Sequence, residues 1–373
     1  MDYSYCDIDV NLSRDLSGTV REKIDILMPH RSGDVKTQRQ KEDLILILNI
    51  LPIDPGFTDV VKAYRFLKNR VRHTPTEYSF PLSEICGAPV YIKWENQQLC
   101  GSFKLRGALY KMNSLTPEER AKGVVTCSSG NYGQGVALAA KELGIRTQIF
   151  VPNVCPETKK SAIKRRGGEY VELVVTSGDY DFAEHSAHEQ ADRTGMTYVS
   201  SFEDATVISG QGTAGFEMFT DEPDIGLLII PAGGGGLMNG IAIAAKGLNP
   251  DVEIWGVQSV ASNPWVVSWA DGIVKEVEYL ETLADGLAGY IPQSLLSLAK
   301  KRVPGILEIT EEDIAKAIAF LHREHHQIVE GAGAVGVAAL LAGKIDPKGR
   351  KTGIVISGGN IDEEKLKDIL TRY

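Results

Sequence analysis

The sequence predicts an α/β fold of two domains, with mostly parallel sheets flanked by helices. Three observations carry that expectation. After about residue 50, short β-branched runs alternate with Ala-rich stretches of helical character. Glycine-bearing loops separate strand from helix at several places, the signature of βαβ units. The length, 373 residues, at roughly 100–200 residues per domain allows two domains with ample core.

In chain order, residues 1–53 are mixed polar sequence with short helices expected at Thr19 to Leu27 and Lys41 to Leu51, stopped by Pro52 and Pro55. They read as an arm on the main body or on a second subunit. Val124 to Cys127 is a strand, Gly135 to Leu143 a helix closed by Gly144, and Thr147 to Val151 the next strand. The pattern returns as Leu227 to Ile230, the loop Gly233 to Gly236, and the helix Met238 to Ala245, and again where Gly353 to Ile356 runs into Ser357-Gly358-Gly359-Asn360. The expected division is 54–114 with 202–373 as the larger domain and 115–201 as the smaller. In such sheets ligands bind at the loops beyond the strand carboxyl ends.

Composition narrows the function. Lys plus Arg number 40 against 49 Asp plus Glu, a formal net charge of −9, which is the wrong sign for a protein living on phosphate contacts of nucleic acid. Cys6, Cys86, Cys100, Cys127 and Cys155 are odd in number and contain no C-x-x-C pair, so neither a disulfide framework nor a zinc knuckle is expected. The uncharged stretch Ile225 to Ala245 contains Pro231 and four consecutive glycines, and reads as strand, loop and helix rather than a membrane span. With no apolar segment near the N-terminus resembling a signal peptide, a cytoplasmic location is expected.

Four segments carry chemistry. Gly101-Ser102-Phe103-Lys104-Leu105-Arg106-Gly107-Ala108 sets one lysine among small and apolar neighbours. It is either a surface cation or, desolvated near another cation such as Arg106, an amine of lowered pKa usable as nucleophile or base. Ser128-Ser129-Gly130-Asn131-Tyr132-Gly133-Gln134-Gly135 offers hydroxyls, an amide and backbone N–H groups at a helix start, suited to a carboxylate or simply to a capped turn. In Pro231-Ala232-Gly233-Gly234-Gly235-Gly236-Leu237, four glycines let backbone amides converge on one phosphate. Its spacing is neither that of a Walker loop nor that of a dinucleotide fingerprint. Ser357-Gly358-Gly359-Asn360 follows a strand and by itself is only a turn.

Together the motifs GSFKLRGA, SSGNYGQG, PAGGGG and ISGGN, with ADG at Ala284 to Gly286 and EGAGAVG at Glu330 to Gly336, give the chain from about Thr58 onward its resemblance to the fold-type II pyridoxal-phosphate enzymes. Their fold is like that of the tryptophan synthase β chain, and the resemblance is to the serine/threonine dehydratase and serine racemase group. It implies pyridoxal 5'-phosphate as cofactor, held by Lys104 as a Schiff base, with the freed Lys104 amine as base at the substrate Cα. It implies Phe103 beside the ring, Asn131 at the ring oxygen, Gly233, Gly234, Gly235, Gly236 and Leu237 around the phosphate, and Ser357 at the pyridine nitrogen. It places Ser128, Ser129, Asn131 and Tyr132 at the substrate carboxylate, with Ser129 also able to act as an acid on the face opposite Lys104. A serine hydroxyl at the ring nitrogen does not hold it protonated as an Asp would, which favours prompt loss of a β-substituent.

The implied reaction is β-elimination from a 3-hydroxy amino acid, by default L-threonine or L-serine, to a 2-oxo acid and ammonia. Alternatives are a serine or aspartate racemase on the same scaffold, a dehydratase for a larger or acidic 3-hydroxy amino acid, and a catalytically inert cofactor-binding subunit. Tyr132 stands where these dehydratases usually have His. Gln258 and Pro264 stand where racemase-like members place acidic cation ligands, so no metal is expected, and the racemase's small-domain arginine falls near Asp181. A homo-oligomer is expected, with no nucleic acid or membrane partner. His322, His325 and His326 read as a solvated helix face, and Glu311-Glu312 as dipole-favoured charges behind a Thr310 cap.

Overall fold

The structure, a computed structural model, describes residues 53–373; the helices expected before Pro52, Cys6 and the reading of that segment as an arm lie outside the described residues. The described chain opens with α1 (Phe57–Leu67), β1 (Thr76–Tyr78), α2 (Phe80–Cys86), β2 (Val90–Trp94), α3 (Lys104–Ser114) and α4 (Pro117–Lys122). It continues through β3 (Val124–Cys127), α5 (Asn131–Leu143), β4 (Thr147–Pro152), α6 (Glu157–Gly167), β5 (Val171–Thr176), α7 (Tyr180–Thr194), β6 (Thr197–Tyr198) and α8 (Ala205–Asp221). The remainder is β7 (Leu227–Pro231), α9 (Gly236–Leu248), β8 (Glu253–Ser259), α10 (Pro264–Trp269), α11 (Gln293–Ala299), β9 (Gly305–Ile309), α12 (Glu311–His325), α13 (Gly331–Leu341), β10 (Thr352–Ile356) and α14 (Glu363–Arg372).

Two sheets result. One has the order β1-β2-β10-β7-β8-β9, and the other β5-β4-β3-β6. Every pairing is parallel except β1 with β2. Parallel strands covered on both faces read as continuous apolar runs, and β7 and β10 (LLIIP, TGIVI) are buried at every position. Ile354 pairs in register with Ile92 on one side and Ile229 on the other, all 0% exposed; each such side chain contributes roughly 1.5–3 kcal/mol by burial. The small residues of α13 (GAGAVGVAALL) let that helix sit close over β10 and β7, so nearly all of it is buried.

Helix ends follow local chemistry. Gly144 closes α5 in the left-handed conformation, and Thr310 caps α12 in a reciprocal box with Asp313. The uncharged stretch from Ile225 is β7, a glycine loop and α9, and among the described residues no helix is long and apolar enough to cross a membrane. Two expectations are corrected. Helix α5 starts at Asn131, so five of the eight residues from Ser128 to Gly135 are helix rather than loop. His326 leaves α12 with φ +54°, and His325 is half-buried against Trp94 and Phe320 with Nε2 at 3.0 Å from Ser79 Oγ. The three histidines therefore do not share a solvated face, because the helix ends before the third.

Candidate active site

Lys104 is the first residue of α3. The segment leading into it is stitched to the end of β10: Ser102 bridges Gly358, Phe103 N–H donates to Ser357 O at 3.1 Å, and Gly359 N–H donates to Gly101 O at 2.9 Å. This clamp holds the lysine above the carboxyl end of the central strand. Its Nζ lies 5.1 Å from the Phe103 ring centre and 5.7 Å from that of Tyr132. Removal from water pushes the amine down to about 8, against an opposing pull from the Glu330 carboxylate. Arg106 is not the cause, contrary to the cation–cation possibility in the sequence. It turns to the far side of the helix, where Glu95 and Glu217 neutralise it.

After β3, Ser128-Ser129-Gly130 leads into α5. Ser128 N–H is held by Phe150 O at 3.1 Å and Ser128 Oγ accepts from Gly130 N–H at 3.3 Å. The N–H groups of a first helical turn have no intrahelical acceptors, which makes the turn a site for an anion. Asn131 is fixed at both ends of its amide. Its Nδ2 donates to Glu330 Oε1 at 2.7 Å, and its Oδ1 accepts from Asn360 Nδ2 at 2.7 Å. One N–H of Asn131 is left over. Glu330 is buried, which raises its carboxyl to about 7 with help from Asp285, while hydrogen bonds from Asn131 and the Asn360 N–H act the other way. The Tyr132 hydroxyl is buried without a hydrogen-bond partner, and burial foremost, then Asp204, raises its pKa.

The glycine loop joins β7 to α9. A Cβ on Gly234 would stand 2.6 Å from the Phe202 ring, and one on Gly235, at φ +95°, would stand 2.7 Å from Trp265. The backs of Gly234 and Gly235 are thus filled by aromatic rings, and Trp265 Nε1 donates to Gly233 O. The open side is backbone at the start of α9. Ser357, 3% exposed, directly follows β10, the neighbour of this loop's strand β7.

One cavity of about 680 Å³ is lined by Phe103, Lys104, Ser128, Ser129, Asn131, Tyr132, Gly233, Gly234, Gly235, Gly236, Leu237 and Ser357. The residues that the resemblance assigned to cofactor and substrate all line this cavity, whereas Arg106, Gln258, Pro264, Glu311, Glu312 and the three histidines do not. Glu330 and Asn360 also line it; they stood inside quoted motifs, but nothing local marked them as partners of Asn131. Elsewhere, Gln258 is buried and its Oε1 accepts from Trp265 N–H at 2.9 Å. Among the described residues no group of three or more His, Cys, Asp or Glu side chains is placed to hold a metal ion.

This donor set fits a phosphorylated aldehyde cofactor. The cradle is one that side chains would fill, and the amine beside it is partly unprotonated at neutral pH. Residues 67–358 match the family model described as "Pyridoxal-phosphate dependent enzyme". The chain belongs to that family. Among its relatives, an L-threonine ammonia-lyase of Thermotoga maritima is 43% identical over 315 residues, 84% of this chain and 78% of that protein. The catabolic L-threonine dehydratase TdcB of Escherichia coli is 37% identical over 323 residues, 86% of this chain and 96% of that one. Among solved structures, maize serine racemase has a TM-score of 0.80 at 29% identity, covering 85% of this chain and 97% of its own. Threonine deaminase isoform 2 of Solanum lycopersicum has 0.79 at 31%, covering 86% and 95%.

Proposed function

We propose that this protein is a pyridoxal-phosphate-dependent ammonia-lyase that dehydrates and deaminates a 3-hydroxy amino acid, L-threonine or L-serine, to a 2-oxo acid and ammonia. The observation that carries it is the Lys104 amine, lowered to about 8 by removal from water and sharing one cavity with Ser128, Ser129 and the start of α5. The likeness to threonine ammonia-lyases over more than four-fifths of the chain supports the reaction type.

The cofactor, when bound, supplies an electron sink for the pair left at Cα when its proton departs. The N–H groups of Gly234 to Leu237 would hold its phosphate, Phe103 would pack beside the ring, Asn131 would donate its remaining N–H to the ring oxygen, and Ser357 would meet the ring nitrogen. Ser128, Ser129 and the α5 start would receive the substrate carboxylate, with Tyr132 forming the pocket edge. Lys104 would take the Cα proton. At pH 7.5 an amine of pKa about 8 is roughly a quarter unprotonated, against about one part in a thousand at the ordinary lysine value. The same amine, once protonated, would return a proton to the departing hydroxyl. We assign residues 115–201, which carry the sheet β5-β4-β3-β6, as a smaller domain that closes over the substrate and excludes water.

A panel of 3-hydroxy amino acids with detection of the 2-oxo acid tests the reading; absence of keto acid from every member overturns it. A racemase is the second reading. Ser129 favours it, since it lines the same cavity as Lys104, as does the likeness to serine racemase. Chiral analysis of recovered substrate decides between them: D-isomer formed by the wild type and lost in Ser129→Ala would assign Ser129 as the second acid.

A further inference from the structure

One wall of the cavity carries charge that the reaction just described does not use. Asp179 caps α7 through its side chain, so the helix starts at Tyr180 and presents Asp181 and Glu184, three residues apart, on one face. Both line the cavity. Among the described residues Asp181 has no hydrogen bond or ion pair, and the half-buried Glu184 is met by the uncharged Tyr198 hydroxyl at 3.1 Å. Neither carboxylate is neutralised by a cation among the described residues. Two lysines line the same cavity: Lys104, committed to the cofactor, and Lys159, whose Nζ is already 3.4 Å from Asp285 Oδ2. No arginine among the described residues lines it.

We propose that Asp181 and Glu184 are specificity-determining residues that reject 3-hydroxy amino acids bearing a side-chain carboxylate. The proposal rests on the ammonia-lyase reading and narrows its substrate class to uncharged side chains. One carboxylate of a substrate is received at the start of α5. A second has no free cation to meet and faces two fixed negative charges instead. Repulsion from the half-buried Glu184 is screened less than on an open surface, while that from the exposed Asp181 is screened more. Discrimination by repulsion leaves the neutral substrate's own contacts untouched. A cationic side chain, as in L-2,3-diaminopropionate, meets attraction at the same wall.

The test uses the holoenzyme and Asp181→Asn, Glu184→Gln and the double variant. The replacements keep shape, and the amide oxygen introduced by Glu184→Gln still accepts from Tyr198. The readout is the ratio of kcat/KM for L-threonine to that for L-threo-3-hydroxyaspartate, with inhibition by succinate and by L-2,3-diaminopropionate measured alongside. The ratio is expected to fall about tenfold in the double variant. Succinate should bind correspondingly tighter and diaminopropionate weaker. A ratio and inhibition constants within twofold of wild type overturn the proposal. Should the double variant fail to fold, the two single variants must each move succinate and diaminopropionate in opposite directions, and equal shifts of both overturn it. If the wild type turns over no 3-hydroxy amino acid, the ammonia-lyase reading fails. Opposite movement of the two inhibitors then still supports the charged wall, and its absence overturns it.

Discussion

Arg106 and Glu217 meet through two parallel hydrogen bonds of 2.7 Å, Nη1 to Oε1 and Nη2 to Oε2, with neither residue more than 1% exposed. Glu95 grips the other edge of the guanidinium through Nε and Nη2, both at 2.8 Å, and Lys93 reaches Glu217 at 2.9 Å. Burial opposes these charges, but the two carboxylates outweigh it and raise the Arg106 pKa, while Arg106 and Lys93 lower that of Glu217. The cluster binds the first turn of α3, which carries Lys104 on its opposite side, to β2's end and to α8.

Removing Arg106 leaves the buried Glu95 carboxylate without a cation, while Glu217 keeps Lys93. Arg106→Met is expected to cost about 3–5 kcal/mol of unfolding free energy, measured by urea denaturation. The double change Arg106→Met, Glu95→Gln, which leaves Glu217 paired with the buried Lys93, should recover part of that loss, because uncompensated charge rather than lost volume dominates.

Glu330 sets a pH dependence of stability whose sign is opposite to that of an ordinary paired carboxylate. Its folded pKa, about 7, lies above the ordinary 4.5. Below pH 4.5 both states carry the proton and the group has no effect. Between 4.5 and 7 the unfolded chain releases the proton while the folded chain retains it, so stability falls as pH rises, by up to about 3 kcal/mol, and levels off above 7. In cofactor-free protein, Glu330→Gln should flatten this part of the profile. An unchanged slope between pH 5 and 7 would show that Glu330 ionises normally.

The aromatic backing of the glycine loop makes a paired prediction. Gly234→Ala drives a Cβ into the Phe202 ring, an overpacking cost of about 1–3 kcal/mol, expected as weaker binding of pyridoxal phosphate. Phe202→Leu in the same chain should restore much of the affinity. Titration by absorbance or fluorescence measures both.

Lys104→Ala should abolish turnover by at least ~10³-fold, since one amine serves both as attachment point and as proton carrier. Borohydride treatment followed by peptide mapping should place the reduced cofactor on the Lys104 peptide of the wild type. The same label on another lysine in Lys104→Ala would refute the assignment.

Much of the architecture is legible in the sequence because its signals are local. Val124 to Cys127, Thr147 onward and the glycine loop into α9 announce themselves by β-branching, by glycine and by helical period within a dozen residues. The site is legible to the same extent, as loops following strands. What stays hidden depends on pairings between distant residues. Nothing in the sequence near Arg106 shows that Glu95 and Glu217 will consume its charge, nor that the amide of Asn131 will be spanned by Glu330 and Asn360. The departure of His326 from α12 is hidden for a different reason: the left-handed turn that takes it off the helix is uncommon for a side chain larger than glycine.

The place of β10 also bears on how the protein is made. It lies between β2 and β7, with Thr352 in register with both Val90 and Leu227, although it is synthesised after both of them. Until it arrives, β2 and β7 have unpaired edges that invite association with other chains. Ser357 and Asn360 arrive with it, as does the clamp on Phe103. A chain interrupted before Thr352 therefore lacks both a closed sheet and an organised lysine, so synthesis yields no half-active product, only complete protein or a target for chaperones and proteases.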